Sequence, residues 1–250
     1  MKLRRLLERI GRGLVRLAQG ERWRSPPLLD ETARVGRFAA DPEHTYLVSF
    51  PRTGSHWLRM LIEKYFERPQ LRLTYDCAGR EDYLTYHTHD KGLDIVHPNV
   101  LYLYREPVAT VYSQMVYERS PLDSRDWVRY WSELYGLHLA KWLHEERFTR
   151  KKTVVRYERL QASPREEFSK VVAHFGESLD AERFERCRTS VTKEEVARRT
   201  ASDARRINTR TDYAQRREDF RRRHAELVWS TLLAGRGFLE AFFDRDGKEA

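Results

Sequence analysis

The chain has 250 residues, 40% of them hydrophobic, which is enough for one sizeable α/β domain and too few for two comfortable ones. Lysine and arginine outnumber aspartate and glutamate by 47 to 38, so the formal net charge is +9. Such a surface attracts anions, whether polyanionic nucleotides, anionic glycans, lipid headgroups or nucleic acids. Cys77 and Cys187 have no metal or redox spacing and give no sign of a disulfide framework, so we expect a reducing, cytoplasmic location.

Residues 1–24 are predicted to form an amphipathic helix, because leucines and an isoleucine recur on one face and arginines occupy the other. The arginines interrupt the segment too often for a signal-peptide core. No run of about 18 apolar residues occurs in the chain, so membrane spanning is not indicated either. The helix could pack on the domain or dock peripherally on an anionic membrane surface. We assign residues 25–44 to a linker and residues 45–250 to a single α/β domain.

Residues 46–62 have the pattern of a strand, a tight loop and a helix: an apolar run breaks at a proline and a glycine, and apolar residues then recur at helical spacing. Such a loop points successive backbone N–H groups into one concavity at the positive end of the helix dipole. The hydroxyls of Thr53 and Ser55 are expected to add donors, and the planar fork of Arg52 suits phosphate or sulfate oxygens. The pattern therefore predicts an anion site, although an ordinary strand-to-helix turn would look similar.

The loop lacks the features of a conventional ATP or GTP site. The Walker A pattern needs two glycines and a Gly-Lys-Ser/Thr ending, whereas this loop has one glycine, and His56 stands in the region of the lysine. Residues 51–58, Pro-Arg-Thr-Gly-Ser-His-Trp-Leu, instead resemble without a gap the Pro-Lys/Arg-Ser/Thr-Gly-x-x-Trp-Leu loop of sulfotransferases. Those enzymes use 3′-phosphoadenosine 5′-phosphosulfate (PAPS). The resemblance implies that the 5′-phosphosulfate is bound by Arg52, Thr53, Gly54, Ser55 and Trp57. His56, where the relatives often have threonine or asparagine, either contacts the phosphosulfate as well or reaches toward the acceptor.

A β-rich stretch at residues 83–89 contains two alternating histidines, His87 and His89, which would point the same way from a strand. His89 lies nearer the strand end, where parallel-sheet proteins gather their sites, but a histidine there can also be a plain surface residue. In the sulfotransferases that the chain resembles, a Lys-Thr-His triplet lies on the strand between the two PAPS motifs. His87-Thr88-His89 occupies that place, so the resemblance makes His89 the expected catalytic base.

Residues 100–104 predict a buried parallel strand, and a helix is expected to begin at or near Pro107. Arg105 at the strand end and Ser113 on the helix could reach one anion near the switch point of the sheet, although Arg105 could merely pair with Glu106 or another neighbour. The same stretch resembles the sulfotransferase motif for the 3′-phosphate and keeps its Arg-to-Ser separation. The resemblance implies that Arg105 and Ser113 bind the phosphate that distinguishes PAPS from ATP.

A long helix is predicted from Ser124 to Glu146, with Trp127, Trp131 and Trp142 in an aromatic stripe. The stripe could belong to the core or to the wall of a substrate cleft, where tryptophans could stack on sugar rings. A short third core strand is predicted to lead into Tyr157. The resemblance implies that the Tyr157 ring lies against the adenine.

The last third of the chain carries weaker signals. Thr189-Ser190-Val191 resembles a Thr-Ser-Phe segment of the sulfotransferase nucleotide pocket, but valine replaces the aromatic ring. Arg205, Arg206 and Arg210 lie roughly where sulfotransferases carry an Arg-Lys-Gly triplet that completes the 3′-phosphate site, and the triplet itself does not occur. Either one of these arginines substitutes for it or all three face solvent.

Together, the motifs predict a central parallel β-sheet of P-loop NTPase-like type with helices on both faces. The expected reaction moves the sulfuryl group of PAPS to a hydroxyl or amine, most simply on a carbohydrate or glycolipid, without a metal and with PAP (3′-phosphoadenosine 5′-phosphate) as product. His89 would act as base, while Arg52, which cannot give up its proton, would act electrostatically with Ser55. Two alternatives stay open. A phosphotransferase would need a Mg²⁺-binding aspartate at a strand end, and a nucleic-acid-binding protein would account for the charge.

Overall fold

The computed structural model describes residues 27–200 and 211–243, with side chains from residue 33 onward. The strands are β1 (Thr45–Ser49), β2 (Gln70–Leu71), β3 (Thr85–Thr88), β4 (Asn99–Tyr104) and β5 (Lys151–Arg156). The helices are α1 (Pro27–Ala40), α2 (Ser55–Phe66), α3 (Pro107–Glu118), α4 (Arg125–Leu139), α5 (Tyr157–Ala162), α6 (Pro164–His174), α7 (Ala181–Ser190), α8 (Lys193–Arg199) and α9 (Tyr213–Leu233). A π-helical turn, Ala140–His144, continues α4, and a 3₁₀ helix spans Gly237–Phe242.

The five strands form one sheet in the order β2-β3-β1-β4-β5, and every pair in it is parallel. Strands β1 and β4 are buried along their whole length, as their apolar sequences predict for central parallel strands. Alternate residues of β4 serve the two faces of the sheet. Leu101 joins a core cluster with Leu61 of α2 and Phe168 of α6, while the Tyr102 ring stacks on Trp142 beyond α4. Helices therefore cover both faces, and the predicted fold class is confirmed.

The connections place a crevice at the carboxyl ends of the two central strands. From β1 the chain runs through α2 to β2 and β3 on one side of the sheet, and from β4 it runs through α3 and α4 to β5 on the other side. The loops after β1 and β4 therefore diverge, which is the arrangement that opens a ligand crevice in parallel sheets. Ser49, the last residue of β1, pairs in register with Leu103 of β4, so both loops start at the same level.

Helix α1 lies within the segment predicted as a linker. Prolines at 26 and 27 suggest a helix end when read from the sequence, but proline is also favoured in the first turn of a helix, and Pro27 begins α1. By residue contacts the chain divides into residues 1–38 and residues 39–250, and the second unit holds the sheet. The helix predicted for residues 1–24 lies outside the described residues. No helix in the described part of the chain is long and apolar enough to cross a membrane.

Candidate active site

The loop between β1 and α2 is shaped by two residues in the left-handed region, Arg52 with φ +72° and Gly54 with φ +93°. Gly54 is the N-cap of α2, and no side-chain hydrogen bond caps the helix there. The backbone N–H groups at the start of α2 thus face the crevice side of the sheet without a side-chain partner from the cap, at the positive end of the helix dipole. Ser55, the first residue of α2, is buried at this end. These features are those of an anion site at a helix N-terminus.

One predicted donor of this loop is engaged within the loop. Thr53 is fully buried, and its Oγ1 donates to the carbonyl of Phe50 at 2.8 Å. Binding of an anion by the Thr53 hydroxyl stays a prediction, and it would require this hydrogen bond to break.

The glycine of the loop is required by the close approach of a ring. A Cβ at position 54 would lie 2.3 Å from Cε2 of Tyr157, well inside van der Waals contact. Tyr157 begins α5, directly after β5, and its ring and the Trp57 ring meet edge to face at a centroid distance of 6.1 Å. The indole Nε1 of Trp57 donates to the carbonyl of Val191 at 3.0 Å. The loop, Tyr157 and the segment around Val191 therefore lie together, as the motifs predict.

The two predicted phosphate-binding motifs meet across the crevice. Nε of Arg52 donates to Oγ of Ser113 in α3 at 3.2 Å, although the two residues lie 61 positions apart. Nη1 of Arg105 donates to the carbonyl of Arg52 at 3.2 Å, and the Arg105 guanidinium lies 4.5 Å above the ring centroid of Tyr157. The Nε of Arg105 is buried and has no hydrogen-bond partner among the described residues. One crevice thus gathers Arg52, Arg105, Ser113 and Tyr157.

Arg105 does not pair with its neighbour Glu106. The Glu106 carboxylate caps α3 by accepting from the N–H groups of Val108 and Ala109, at 3.1 and 2.7 Å. It also accepts from Arg221 of α9 at 2.9 Å. The alternative interpretation of Arg105 as a simple partner of Glu106 is therefore wrong, and the positive charge of Arg105 stays on the crevice side.

His89 follows β3 and is held as one tautomer. Its Nδ1 lies 2.9 Å from the carbonyl oxygen of Ser49 at the end of β1. A carbonyl can only accept, so Nδ1 carries the proton and the lone pair remains on Nε2. Burial lowers the pKa of His89 to about 4, and the neutral imidazole is therefore the form present at neutral pH. The arrangement leaves Nε2 as a proton acceptor.

His87 has both ring nitrogens engaged. Nη1 of Arg59 lies 3.4 Å from its Nδ1, and Oγ of Ser49 lies 3.0 Å from its Nε2. Because Arg59 can only donate, Nδ1 of His87 accepts and Nε2 donates to Ser49. Burial and the nearby charge of Arg59 lower the pKa of His87 well below its usual value. Of the two alternating histidines, His89 is thus the one whose free nitrogen is an acceptor.

His56 contacts a residue that the motifs did not single out. Its Nδ1 lies 2.7 Å from the hydroxyl of Tyr75, in the loop after β2. This loop is anchored by the fully buried carboxylate of Glu63, which accepts from the N–H groups of Tyr75, Asp76 and Cys77 at 2.7–2.9 Å. A glutamate on the buried face of a helix is a signal for such an anchor, but its partners cannot be identified from the sequence.

The three tryptophans of α4 and the π-helical turn after it do not line one wall. Trp142 is fully buried and Trp131 nearly so, whereas Trp127 is 39% exposed. The Nε1 of Trp142 donates to the Asp90 carboxylate at 2.9 Å, so this ring belongs to the support of the loop after His89. Stacking of all three rings on a sugar is therefore not possible without rearrangement. Arg205, Arg206 and Arg210, the candidates to complete the 3′-phosphate site, lie outside the described residues.

Comparison with known proteins identifies solved structures of similar fold. The crystal structure of mouse sulfotransferase SULT7A1 complexed with PAP is similar over 84% of this chain and 91% of that chain, with a TM-score of 0.54 and 14% identity. A structure of retinol dehydratase in complex with androsterone and inactive cofactor PAP is similar over 82% and 85%, with a TM-score of 0.51 and 14% identity. A comparison with curated protein sequences finds no match. The family model described as sulfotransferase domain matches residues 80–234, more than half of the chain, and the chain therefore belongs to the sulfotransferase family, as its motifs predict.

Proposed function

We propose that the crevice at the ends of β1 and β4 binds PAPS and that the enzyme transfers its sulfuryl group to a hydroxyl or amine. The observation that carries the proposal is the Arg52–Ser113 hydrogen bond of 3.2 Å, because it joins the two separate anion motifs into one site. The family match begins at residue 80, after the loop of residues 51–57. The assignment of that loop therefore depends on its geometry.

The residues of the crevice divide into three groups by chemistry. The start of α2, including Ser55 and His56, would bind the 5′-phosphosulfate through backbone N–H groups and polar side chains. Arg105 and Ser113 would bind the 3′-phosphate, and the unpartnered Nε of Arg105 is a donor ready for that role. Tyr157 would contact the adenine through the part of its ring that neither Gly54 nor Arg105 covers. The Trp57 ring, which meets the Tyr157 ring edge to face, would support it in that position.

PAPS supplies an activated sulfuryl group whose bond to the 5′-phosphate oxygen breaks during transfer. His89 accepts the acceptor's proton at Nε2, which makes the oxygen or nitrogen of the acceptor nucleophilic as it attacks sulfur. Arg52, the N–H groups at the start of α2 and Ser55 stabilise the negative charge that develops on the sulfuryl and leaving oxygens. Arg52 acts by its charge alone, because a guanidinium does not give up its proton.

The phosphotransferase alternative needs a Mg²⁺-binding aspartate at a strand end, and Asp90, two residues after β3, is not free for that role. Both oxygens of Asp90 are engaged, Oδ2 by Lys141 and Trp142 and Oδ1 by the N–H of Ile95. Asp90 therefore cannot act as a Mg²⁺ ligand at this strand end without giving up a buried ion pair. The family match also favours sulfuryl transfer over both phosphoryl transfer and nucleic-acid binding.

For the acceptor, the net charge of +9 supports an anionic glycan or a glycolipid headgroup. We place the enzyme in the cytoplasm, with residues 1–24 as a peripheral contact to anionic membrane. Androsterone, with which retinol dehydratase forms its complex, is the corresponding small-molecule probe. The three tryptophans do not form one wall on which a sugar could stack, so the proposal of a glycan acceptor depends on the positive charge alone.

Transfer of ³⁵S from labelled PAPS to a panel of heparan-type glycans, glycolipids and androsterone tests the proposal. We expect labelling of a glycan or glycolipid, and a loss of about 10²–10⁴-fold in His89→Ala if this residue is the base. His87→Ala serves as the matched control and should retain more activity than His89→Ala. Full activity of His89→Ala would overturn the assignment of the base. Labelling of androsterone alone would overturn the acceptor class.

A further inference from the structure

The backbone carbonyl of His89 is held by a second buried histidine. Nε2 of His138, in the last turn of α4, lies 3.1 Å from the carbonyl oxygen of His89. Since the carbonyl accepts, Nε2 of His138 carries the proton, and Nδ1 accepts from the hydroxyl of Tyr102 in β4 at 2.9 Å. Burial lowers the pKa of His138 to about 3, so the ring stays neutral and keeps this tautomer at neutral pH.

The residue after His89 is anchored just as firmly. Asp90 has a positive φ of +41° and is buried. Its Oδ2 accepts from Nζ of Lys141 at 2.7 Å and from Nε1 of Trp142 at 2.9 Å, while its Oδ1 accepts from the N–H of Ile95 at 3.0 Å. Lys141 also donates to the carbonyl of Ile95 at 2.6 Å. The loop after β3 is therefore held in place by the buried ion pair between Asp90 and Lys141 and by the hydrogen bonds of both residues to Ile95.

One helix end reaches both residues because its three contacting side chains share a face. Lys141 and Trp142 lie three and four residues after His138, the spacing that makes side chains neighbours on a helix surface. Both meet at a single carboxylate oxygen of Asp90. They lie in the π-helical turn that continues α4, and single π-helical turns are frequent at functional sites. This helix end thus makes three contacts to the two residues that follow β3.

We propose that His138, supported by the Asp90–Lys141 ion pair, is a positioning residue that fixes the backbone of His89 and thereby keeps Nε2 of His89 directed to the acceptor. The inference rests on the proposed role of His89 as the base. The His89 ring donates from Nδ1 to the carbonyl of Ser49 in β1, and the His89 carbonyl accepts from His138 in α4. The residue is therefore held by β1 through its side chain and by α4 through its backbone.

A purely stabilising role explains the cluster less well. A buried ion pair adds little stability over apolar residues of similar volume, because desolvation offsets the attraction. His174 shows what a structural histidine looks like in this fold. It is buried, and its ring nitrogens lie 3.2 and 2.9 Å from the hydroxyls of Thr45 and Thr153, at the opposite end of β1 from Ser49. It joins two strands through helix α6 and touches no residue of the crevice described above.

The tautomer of His89 reports directly on this positioning. In ¹H–¹⁵N correlation spectra of the imidazole nitrogens, the natural protein should show His89 as the single Nδ1–H tautomer. His138→Phe removes the donor to the His89 carbonyl, which should let the His89 backbone shift, weaken the bond from Nδ1 to the Ser49 carbonyl and give a mixture of tautomers. His138→Gln should restore the single tautomer, because the glutamine amide can donate in place of Nε2. His174→Phe, the matched control, should leave the His89 signals unchanged.

A single Nδ1–H tautomer in His138→Phe, or the same mixture in His174→Phe, would overturn the proposal. If His138→Phe does not fold, Tyr102→Phe tests the same network by removing only the hydroxyl that fixes His138. It should shift the His89 signals in the same direction, and unchanged signals would count against the proposal. The spectra are recorded without an acceptor, so they test the positioning of His89 independently of the proposed function. Failure of the proposed function would appear separately, as full transferase activity of His89→Ala.

Discussion

Replacing Gly54 by alanine tests the geometry of the anion loop at its most constrained point. The residue has φ +93°, and the new Cβ would lie 2.3 and 2.4 Å from two ring carbons of Tyr157. Ordinary carbon contacts are about 3.5–4 Å, so the ring must move by about 1 Å or more. The Tyr157 ring cannot move alone, because the Arg105 guanidinium lies over its face and the Trp57 ring packs against it edge to face.

The expected cost has two parts. A left-handed conformation costs a residue with a Cβ roughly 1–2 kcal/mol. Overpacking against a ring costs about 1–3 kcal/mol more. Gly54→Ala should therefore lower the free energy of unfolding by about 2–5 kcal/mol. Gly176→Ala is the matched control, since Gly176 has φ +81° and nothing within 4 Å of its Cβ position. It should lose only the first part, about 1–2 kcal/mol.

Urea unfolding of the natural protein and both variants measures the difference, and titration with PAP measures its effect on the site. Gly54→Ala should bind PAP at least tenfold more weakly, because the displaced Tyr157 ring carries Arg105 with it. Gly176→Ala should bind normally. Equal destabilisation of the two variants, together with unchanged PAP affinity in Gly54→Ala, would refute the reasoning about close approach.

Two further predictions concern buried charge. Lys141→Met should lower the free energy of unfolding by about 3–5 kcal/mol because it leaves the Asp90 carboxylate buried and unpaired, and the double variant with Asp90→Asn should recover much of the loss. Arg186→Met, which removes an exposed ion pair, should change stability by less than about 1 kcal/mol in the same urea unfolding experiment. Burial lowers the pKa of His89 and His174 to about 4, so the unfolded chain binds protons first as the pH falls. Stability should therefore be full above about pH 6.5 and fall from there to about pH 3, where His138 also titrates. The fall should be less steep in His174→Phe, and stability that rises over this interval would contradict the assignment.

The parts of the fold and site that are contiguous in sequence could be predicted. The apolar runs of β1 and β4 identify central strands. The glycine and the arginine of residues 51–58 lie in one loop, and the strand before it and the helix after it are formed by adjacent residues. Arg105 and Ser113 likewise lie on one strand–helix unit. The two-residue strand β2 is too short for any periodicity to indicate it.

The supports of the site could not be predicted because they depend on tertiary contacts. His138 and Lys141 lie 49 and 51 residues from their partners His89 and Asp90. The π-helical turn that contains Lys141 has no sequence signature. The hydrogen bond from the Thr53 hydroxyl to the Phe50 carbonyl could not be predicted either, because the sequence does not distinguish a free hydroxyl donor from one that bonds within its own loop. The only part of this support that is local in sequence is Asp90, which directly follows His89.

The most direct test of the account is calorimetric titration with PAP, AMP and ATP of the natural protein, Arg105→Ala and Arg129→Ala. Arg129 is an exposed residue of α4 whose ion pair is with Asp126, so its variant controls for the loss of one positive charge. We predict that PAP binds selectively and that Arg105→Ala weakens it about 10–100-fold, the equivalent of one charge-assisted hydrogen bond, while Arg129→Ala does not. Equal binding of all three nucleotides, or PAP affinity unchanged in Arg105→Ala, would contradict the assignment of the crevice as a PAPS site.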